Sequence, residues 1–156
     1  HSGQYPFYYN HSATRENTKY VDMPGTPLYP FGFGLSYTSF EYSNLQITPK
    51  EINNRGDVEI TADIKNTGKV KGEEVVQLYL NDVISSTSKP VKELKGYEKI
   101  LLEPGELKTV RFRLTHEDLS LFDRNMNFVV EPGTFKIMVG SSSNDIRLQG
   151  EFLVTE

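Results

Sequence analysis

The sequence predicts an all-β chain: a sandwich of about seven antiparallel strands preceded by an extended N-terminal lead. Between residues 39 and 156, apolar residues recur at every second position in short runs, which is the period of half-buried strands. Turn signals such as Pro104-Gly105 and Pro132-Gly133 separate these runs at the spacing of about 8–12 residues that is typical of sandwiches. Residues 1–38 lack this alternation, so we expect them to lie outside the sandwich.

Composition limits the alternatives. A chain of 156 residues has room for one ordinary domain and an appendage. Its net charge of −4 argues against a nucleic-acid partner, which calls for a basic face. We expect no membrane span and no signal peptide, since the chain has no apolar run of roughly 20 residues and begins with polar and aromatic residues. Cysteine is absent, which excludes disulfides and thiolate metal sites. Because the chain opens at His1 rather than Met, we expect a mature product or an excised piece.

The N-terminal lead has two parts. Residues 1–12 carry an aromatic run that is predicted to form a short strand, and Pro6 would confine this strand to a sheet edge. Residues 13–38 are predicted to be a linker rich in aromatic residues, glycine and proline, without regular structure. Its last part merges into an uncharged stretch, residues 28–40, where proline fixes φ and the glycines permit unusual backbone angles.

The first strands follow this stretch in order. Phe40 and Tyr42, then Leu45 and Ile47, predict one strand with a slip between the two pairs. Residues 58–65 alternate most cleanly in the chain and predict a half-buried antiparallel strand.

The later strands are predicted from the same pattern, together with one helical turn. Thr115 is a candidate N-cap for a turn that continues through Leu121-Phe122. The segment 91–102 is predicted to form one or two strands, with a break at Gly96. The remaining predicted strands are centred on residues 76–80, 110–114, 135–139 and 146–154. This spacing favours an immunoglobulin-like or fibronectin type III-like sandwich, and the absence of a Cys…Trp…Cys core favours the latter.

Motifs that carry chemistry are sparse. Gly32-Phe33-Gly34 begins like a dinucleotide-binding loop, but the third glycine position holds Tyr37, and no strand or helix flanks it. The three histidines do not stand at metal-ligand spacing, and the many carboxylates on strand faces are expected to be solvated. Asn144-Asp145 offers too few oxygens for calcium. Asn10-His11-Ser12 fits the glycosylation pattern, which has meaning only in a secreted eukaryotic protein.

Exposed aromatic residues are the remaining candidate site. Those in the lead can stack on sugar rings, but exposed aromatic patches more often mark a protein interface, and we favour the interface. The residues concerned are Tyr5, Phe7, Tyr8, Tyr9, Tyr29, Phe31, Phe33 and Tyr37.

Several ordered motifs resemble one family. Residues 26–38, TPLYPFGFGLSYT, are similar to the signature that precedes the C-terminal domain of glycoside hydrolase family 3. Within that domain, the family's motifs are matched by NTG at 66–68, GEEVVQLY at 72–79, PVKELKGYEK at 90–99 and EPGTF at 131–135. Residues 3–10 resemble the closing strand of the preceding α/β domain in that family.

The resemblance implies a division of the chain into three parts. Residues 1–12 would be a remnant of that closing strand, residues 13–38 a linker, and residues 39–156 the fibronectin type III-like domain. The parent would be a β-glucosidase or β-xylosidase that acts by the retaining double displacement. Its nucleophile Asp and acid/base Glu lie upstream in the family, so no catalytic, cofactor-binding or metal-binding residue is assigned here, no cofactor is expected, and the fragment alone should be inactive.

The resemblance also implies the role and surroundings of the domain. We expect it to pack on the catalytic domains of the same polypeptide and stabilise them, in a secreted or periplasmic enzyme. Two alternatives stay open: a carbohydrate-binding module for β-linked polymers, and a wall of the substrate pocket formed by the loop Ser85–Pro90. The expected interdomain contacts are Tyr29, Phe31, Phe33, Leu35 and Tyr37, and the expected carbohydrate or partner contacts are Tyr5, Phe7, Tyr8 and Tyr9. We expect residues 1–12 either to fold back on the β-domain or to pair with a second copy, because an unpaired aromatic edge favours association.

Overall fold

A computed structural model describes residues 8–12 and 26–156 of the chain. The elements in chain order are β1 (Phe40–Thr48), β2 (Glu51–Asn53), β3 (Val58–Asn66), β4 (Gly72–Asp82), β5 (Glu93–Leu102), β6 (Leu107–Leu114), α1 (His116–Leu119), β7 (Leu121–Phe122), β8 (Phe128–Val129), β9 (Gly133–Ser142) and β10 (Asp145–Thr155). Among the described residues, seven strands have eight or more residues. The prediction of an all-β chain with about seven main strands is confirmed.

Two sheets face each other to form the sandwich. The smaller has the order β1-β3-β6, and the larger has the order β2-β10-β9-β4-β5. Their strands pair antiparallel, except that the short β2 runs parallel to β10. Strands β7 and β8 form a separate two-stranded ribbon. The architecture is that of the predicted β-sandwich.

The core lies between the two sheets and is built from the alternating apolar residues. In β3, the side chains of Val58, Ile60, Ala62 and Ile64 are almost completely buried. The β4 residues in the same phase, Val76, Leu78 and Leu80, face them from the larger sheet within one continuous cluster. Because each strand buries every second side chain, the two outer surfaces are made by the intervening residues.

The slip predicted in β1 is confirmed as a β-bulge. Ser43 pairs with Asp63 and Gln46 with Thr61, so the register shifts between them. Asn44 has a φ of 50°, in the left-handed region that asparagine tolerates better than most residues. Its side chain donates a hydrogen bond to Asp63 at 3.0 Å. The bulge thereby lets both halves of β1 direct apolar residues into the core.

Of the two alternatives for residues 91–102, the single strand is the one observed: β5 is continuous, with a register shift next to Gly96, opposite Leu78 and Tyr79. One local prediction needs correction. The helical turn begins after Thr115, whose backbone N–H donates to the Asp118 carboxylate at 2.8 Å, as predicted, but it ends at Leu119. Leu121-Phe122 instead forms β7 and pairs with β8. Residues 51–53 form β2, a strand that the sequence pattern does not predict, because the edge of β10 offers them backbone partners.

Candidate docking surface

The outer face of the three-stranded sheet is a ladder of paired polar side chains. Its pairs are Arg113 with Asp57, Arg111 with Glu59 at 2.5 Å, and Thr109 with Asp63 at 2.5 Å. Hydrogen bonds from Thr109 and from Asn44 hold the pKa of Asp63 below its ordinary value. The carboxylates of this face are therefore solvated or paired with neighbours, as the sequence predicts, and the face is suited to water.

The outer face of the five-stranded sheet is covered in part by residues 28–40, the aromatic stretch. Gln77 of β4 donates from Nε2 to the carbonyl of Gly32 at 3.1 Å and to that of Ser141 at 2.6 Å. The N–H of Ser143 donates to the carbonyl of Phe31 at 2.9 Å. These bonds explain why Gln77, on the outward phase of β4, is only 4% exposed.

The described part of the lead, residues 8–12, lies on the same face. The ring of Tyr9 stacks on Phe31 with centroids 4.1 Å apart and meets the edge of Tyr79 at 6.1 Å. Burial raises the pKa of Tyr79 to about 12. Farther along, His11 accepts a backbone hydrogen bond from Val91 at 2.9 Å. Residues 8–12 thus fold back on the β-domain, which is the first of the two alternatives predicted for the lead.

The structure places the predicted contact residues in three situations. Tyr5 and Phe7 lie outside the described residues. Tyr9 is half-buried, and Phe31, on which it stacks, is 45% exposed. The others, Tyr8, Tyr29, Phe33, Leu35 and Tyr37, are exposed, with Leu35 at 91% and Tyr37 at 102%. The interdomain role of Tyr29, Phe31, Phe33, Leu35 and Tyr37 and the carbohydrate or partner contact of Tyr8 and Tyr9 stay predictions.

A cleft of about 900 Å³ opens between the aromatic stretch and the sheet. Its walls include Phe33 and Leu35 on one side and Val75 and Tyr97 on the other. At its base, the Tyr42 hydroxyl donates to Glu74 Oε1 at 2.6 Å. Burial raises the pKa of both groups, and their mutual hydrogen bond raises that of Tyr42 further.

Arg147 borders the base of the cleft. Its guanidinium lies 4.7 Å from the centre of the Tyr42 ring and donates to the carbonyl of Phe40 at 2.7 Å. It also pairs with Asp145 at 2.8 Å and, with Ser141, holds the pKa of that carboxyl below its ordinary value. Asp145 is therefore committed to an ion pair.

Sequence reasoning missed this polar base. It grouped Glu74 with the solvated carboxylates, whereas Glu74 is only 9% exposed. A signal was present, because Glu74 stands in phase with Val76 and Leu78 of the alternating β4. A carboxylate at an apolar position of such a pattern predicts a buried partner, here Tyr42.

Asn66 fastens the aromatic stretch to the sandwich. Its buried amide oxygen accepts from the Thr38 hydroxyl at 2.7 Å and from the Gly68 N–H at 3.0 Å. Its amide nitrogen donates to the carbonyls of Val70 at 2.9 Å and Leu102 at 3.0 Å. The sequence marked this residue only as the end of a strand.

The described residues were also compared with the requirements of a metal site and of a membrane-spanning helix. They contain no group of three or more histidine, cysteine, aspartate or glutamate side chains arranged to hold a metal ion. No described helix is long and apolar enough to cross a bilayer.

Comparisons with known proteins agree with the sequence resemblance. The fibronectin type III-like domain model matches residues 74–143. A putative β-xylosidase of Formosa agariphila is 46% identical over 145 residues, which cover 93% of this chain and 19% of that protein. The periplasmic β-glucosidase of Salmonella typhimurium is 41% identical, with 96% of this chain and 21% of that protein covered.

Solved structures give the same result. A crystal structure of a β-glucosidase from Listeria innocua in complex with glucose matches with a TM-score of 0.90 and 42% identity. The match covers 99% of this chain and 23% of that one. The chain spans about one fifth of the length of these relatives. Residues 74–143 therefore belong to the fibronectin type III-like domain family, and the chain resembles the domain of this kind that β-glucosidases and β-xylosidases of glycoside hydrolase family 3 carry.

Proposed function

We propose that this chain is the non-catalytic C-terminal accessory domain of a retaining β-glucosidase-type glycoside hydrolase, and that it packs on and stabilises the catalytic domains of the same polypeptide. Relatives named β-glucosidase and β-xylosidase, of which it spans about one fifth, support this placement. In such an enzyme, two carboxyl groups of the catalytic domains would cleave the glycosidic bond through a covalent intermediate. The accessory domain would contribute stability to that reaction.

The observation that carries the proposal is the difference between the two outer faces of the sandwich. One presents paired charges to water, while the other presents the uncharged aromatic stretch, with Leu35 and Tyr37 almost fully exposed. Covering a leucine-sized side chain stabilises a contact by about 1.5–3 kcal/mol. A contiguous exposed apolar surface of this kind marks a protein interface more often than a free surface.

The test is a paired substitution in the full-length enzyme. Leu35→Ser with Tyr37→Ser should lower its melting temperature, because both side chains would lose apolar contacts with the catalytic domains. The same substitutions in this chain alone should change little, since both side chains are already exposed. Leu107→Ser is the matched control: this half-exposed leucine lies on β6, at the edge of the other sheet. A full-length enzyme that tolerates the paired change as well as the control does would contradict the proposal.

The carbohydrate-binding alternative has less support. A sugar platform needs accessible, coplanar ring faces, whereas Tyr9 and Phe31 cover each other by stacking and the exposed rings of Tyr29 and Phe33 are tilted by 34° to each other. Affinity electrophoresis of this chain through gels containing soluble β-glucans separates the two functions. Retarded migration would favour a binding module.

The pocket-wall alternative concerns the loop Ser85–Pro90. Ser86 is hydrogen-bonded to Glu131, and Pro90 pairs with Ser12 of the lead. These contacts hold the loop against its own domain, which gives little support to a segment that reaches into another site.

A secreted or periplasmic location is part of the same proposal, supported by the relative named periplasmic β-glucosidase. Self-association through the N-terminal strand remains an expectation for the fragment. Light scattering of this chain at increasing concentration tests it, and a constant monomer mass would exclude it.

A further inference from the structure

The cleft beside the aromatic stretch combines apolar walls with an anionic base. Phe33, Leu35 and Phe40 come from the stretch, and Val75 and Tyr97 from the sheet. Leu35 and Tyr97 are largely exposed, so the walls present apolar surface to the solvent. The shape and composition suit an inserted side chain with an apolar stem.

The charges around the cleft do not balance. Among the described residues that line it, four are acidic and only Arg147 is basic. Arg147 is already paired with Asp145, and Glu73 is paired with Lys99 at 2.7 Å. The acidic lining residues left without an ion pair in the described part of the chain are Glu41 and Glu74.

Glu74 is the more telling of the two. Its Oε1 accepts a hydrogen bond from Tyr42, whereas its Oε2 accepts none from the described residues and is not completely buried, so it stays open to a partner in the cleft. A partly desolvated carboxylate that lacks a countercharge destabilises the structure that holds it. Arg147 is near enough to moderate this charge, but its hydrogen bonds go to Asp145 and to the carbonyl of Phe40.

We propose that this cleft receives an arginine or lysine side chain, flanked by apolar residues, from the catalytic part of the same polypeptide, and that the cation pairs with Glu74. The proposal rests on the proposed function, because it requires the two parts to pack together. It adds the chemistry of the contact: the apolar stem of the inserted side chain lies between the walls, and its charged end meets the acidic base.

Substitution of Glu74 by glutamine, compared in two proteins, tests the proposal. Glutamine has the same shape and keeps an oxygen that can accept from Tyr42. In this chain alone, E74Q should leave the melting temperature unchanged or raise it, since a buried charge without a countercharge is removed. In the full-length enzyme, E74Q should lower the melting temperature by about 2–4 °C, because the ion pair is lost.

A matched control and a second variant complete the test. Glu59→Gln makes the same chemical change on the solvated face and should act equally in both proteins. Glu41→Gln, at an exposed position, avoids any problem of folding and should give a smaller decrease in the full-length enzyme only.

The outcomes separate this inference from the proposed function. If E74Q acts with the same sign in both proteins while the Leu35 and Tyr37 substitutions still destabilise the full-length enzyme, the cationic partner is refuted and the accessory role stands. If neither set of substitutions affects the full-length enzyme, both proposals fail. If a soluble β-glucan raises the melting temperature of the wild-type chain and of E74Q equally, the occupant is a neutral sugar and the cationic partner is excluded.

Discussion

Replacing Asn66 by alanine is expected to lower the free energy of unfolding by about 3 kcal/mol. The side chain makes four hydrogen bonds. One of them goes to the carbonyl of Val70, and because Val70 is 47% exposed, water can take the place of the amide there. The other three contribute about 1 kcal/mol each. For a chain of 156 residues, this loss corresponds to a decrease in melting temperature of roughly 10 °C.

Urea unfolding followed by circular dichroism measures this change, and Asn66→Asp shows whether the direction of the hydrogen bonds matters. Aspartate can accept from Thr38 and Gly68, but it turns the amide donor into an oxygen that faces two carbonyls. At pH 7 this variant should be no more stable than Asn66→Ala, and it should recover stability as the pH falls and the carboxyl gains a donor proton.

Asn125→Ala is the matched control, since its exposed side chain makes no hydrogen bond to another described residue. This change should stay within about 0.5 kcal/mol of the wild type. A cost below about 1 kcal/mol for Asn66→Ala, or an aspartate variant more stable than the alanine variant at pH 7, would refute the reasoning.

Two further predictions concern Phe31, on which Tyr9 stacks, and the half-buried carboxylate of Asp82. Phe31→Ala should lower the free energy of unfolding by about 1–2 kcal/mol in the same urea assay, because Tyr9 loses its stacking partner; an unchanged midpoint would show that the contact contributes nothing. Burial raises the pKa of Asp82, and its Oδ2 is buried without a hydrogen-bond partner among the described residues. The folded protein therefore keeps this proton to higher pH than the unfolded chain, so its contribution to stability is present at low pH and is lost as the pH rises through the raised pKa. Asp82→Asn should remove that loss, and its stability relative to the wild type should increase as the pH rises above about 4, the ordinary pKa of an aspartate; a difference that does not vary with pH would contradict this.

Much of the sandwich could be predicted because its strands are half-buried. The alternation of Val58 to Ile64 reports burial on one side only, and the interrupted pattern in β1 reports the bulge at Asn44. By contrast, β2 has a single buried apolar residue, Ile52, and forms because β10 provides backbone partners. No local pattern encodes that pairing.

The candidate surface was only partly visible in the sequence. The uncharged aromatic stretch indicated a contact surface, but its position over β4 depends on Gln77 and on carbonyls far along the chain. The stack of Tyr9 on Phe31 joins residues of two irregular segments, for which no periodicity predicts a neighbour. Glu74 could have been recognised from its phase in β4, whereas its proximity to Arg147 is a property of the folded sheet.

The attachment of residues 8–12 changes the meaning of the predicted linker. Tyr9 and His11 are bound to the sandwich at one end, and the aromatic stretch is bound to the same sheet at the other. Residues 13–25 therefore connect two points of one body, and their length does not set how far the sandwich can move from a domain joined before residue 8. Such a domain would be joined at the start of the described lead, next to the point where Tyr9 packs on the sheet. Residues 13–25, part of the predicted linker, would then not set the distance between the two domains.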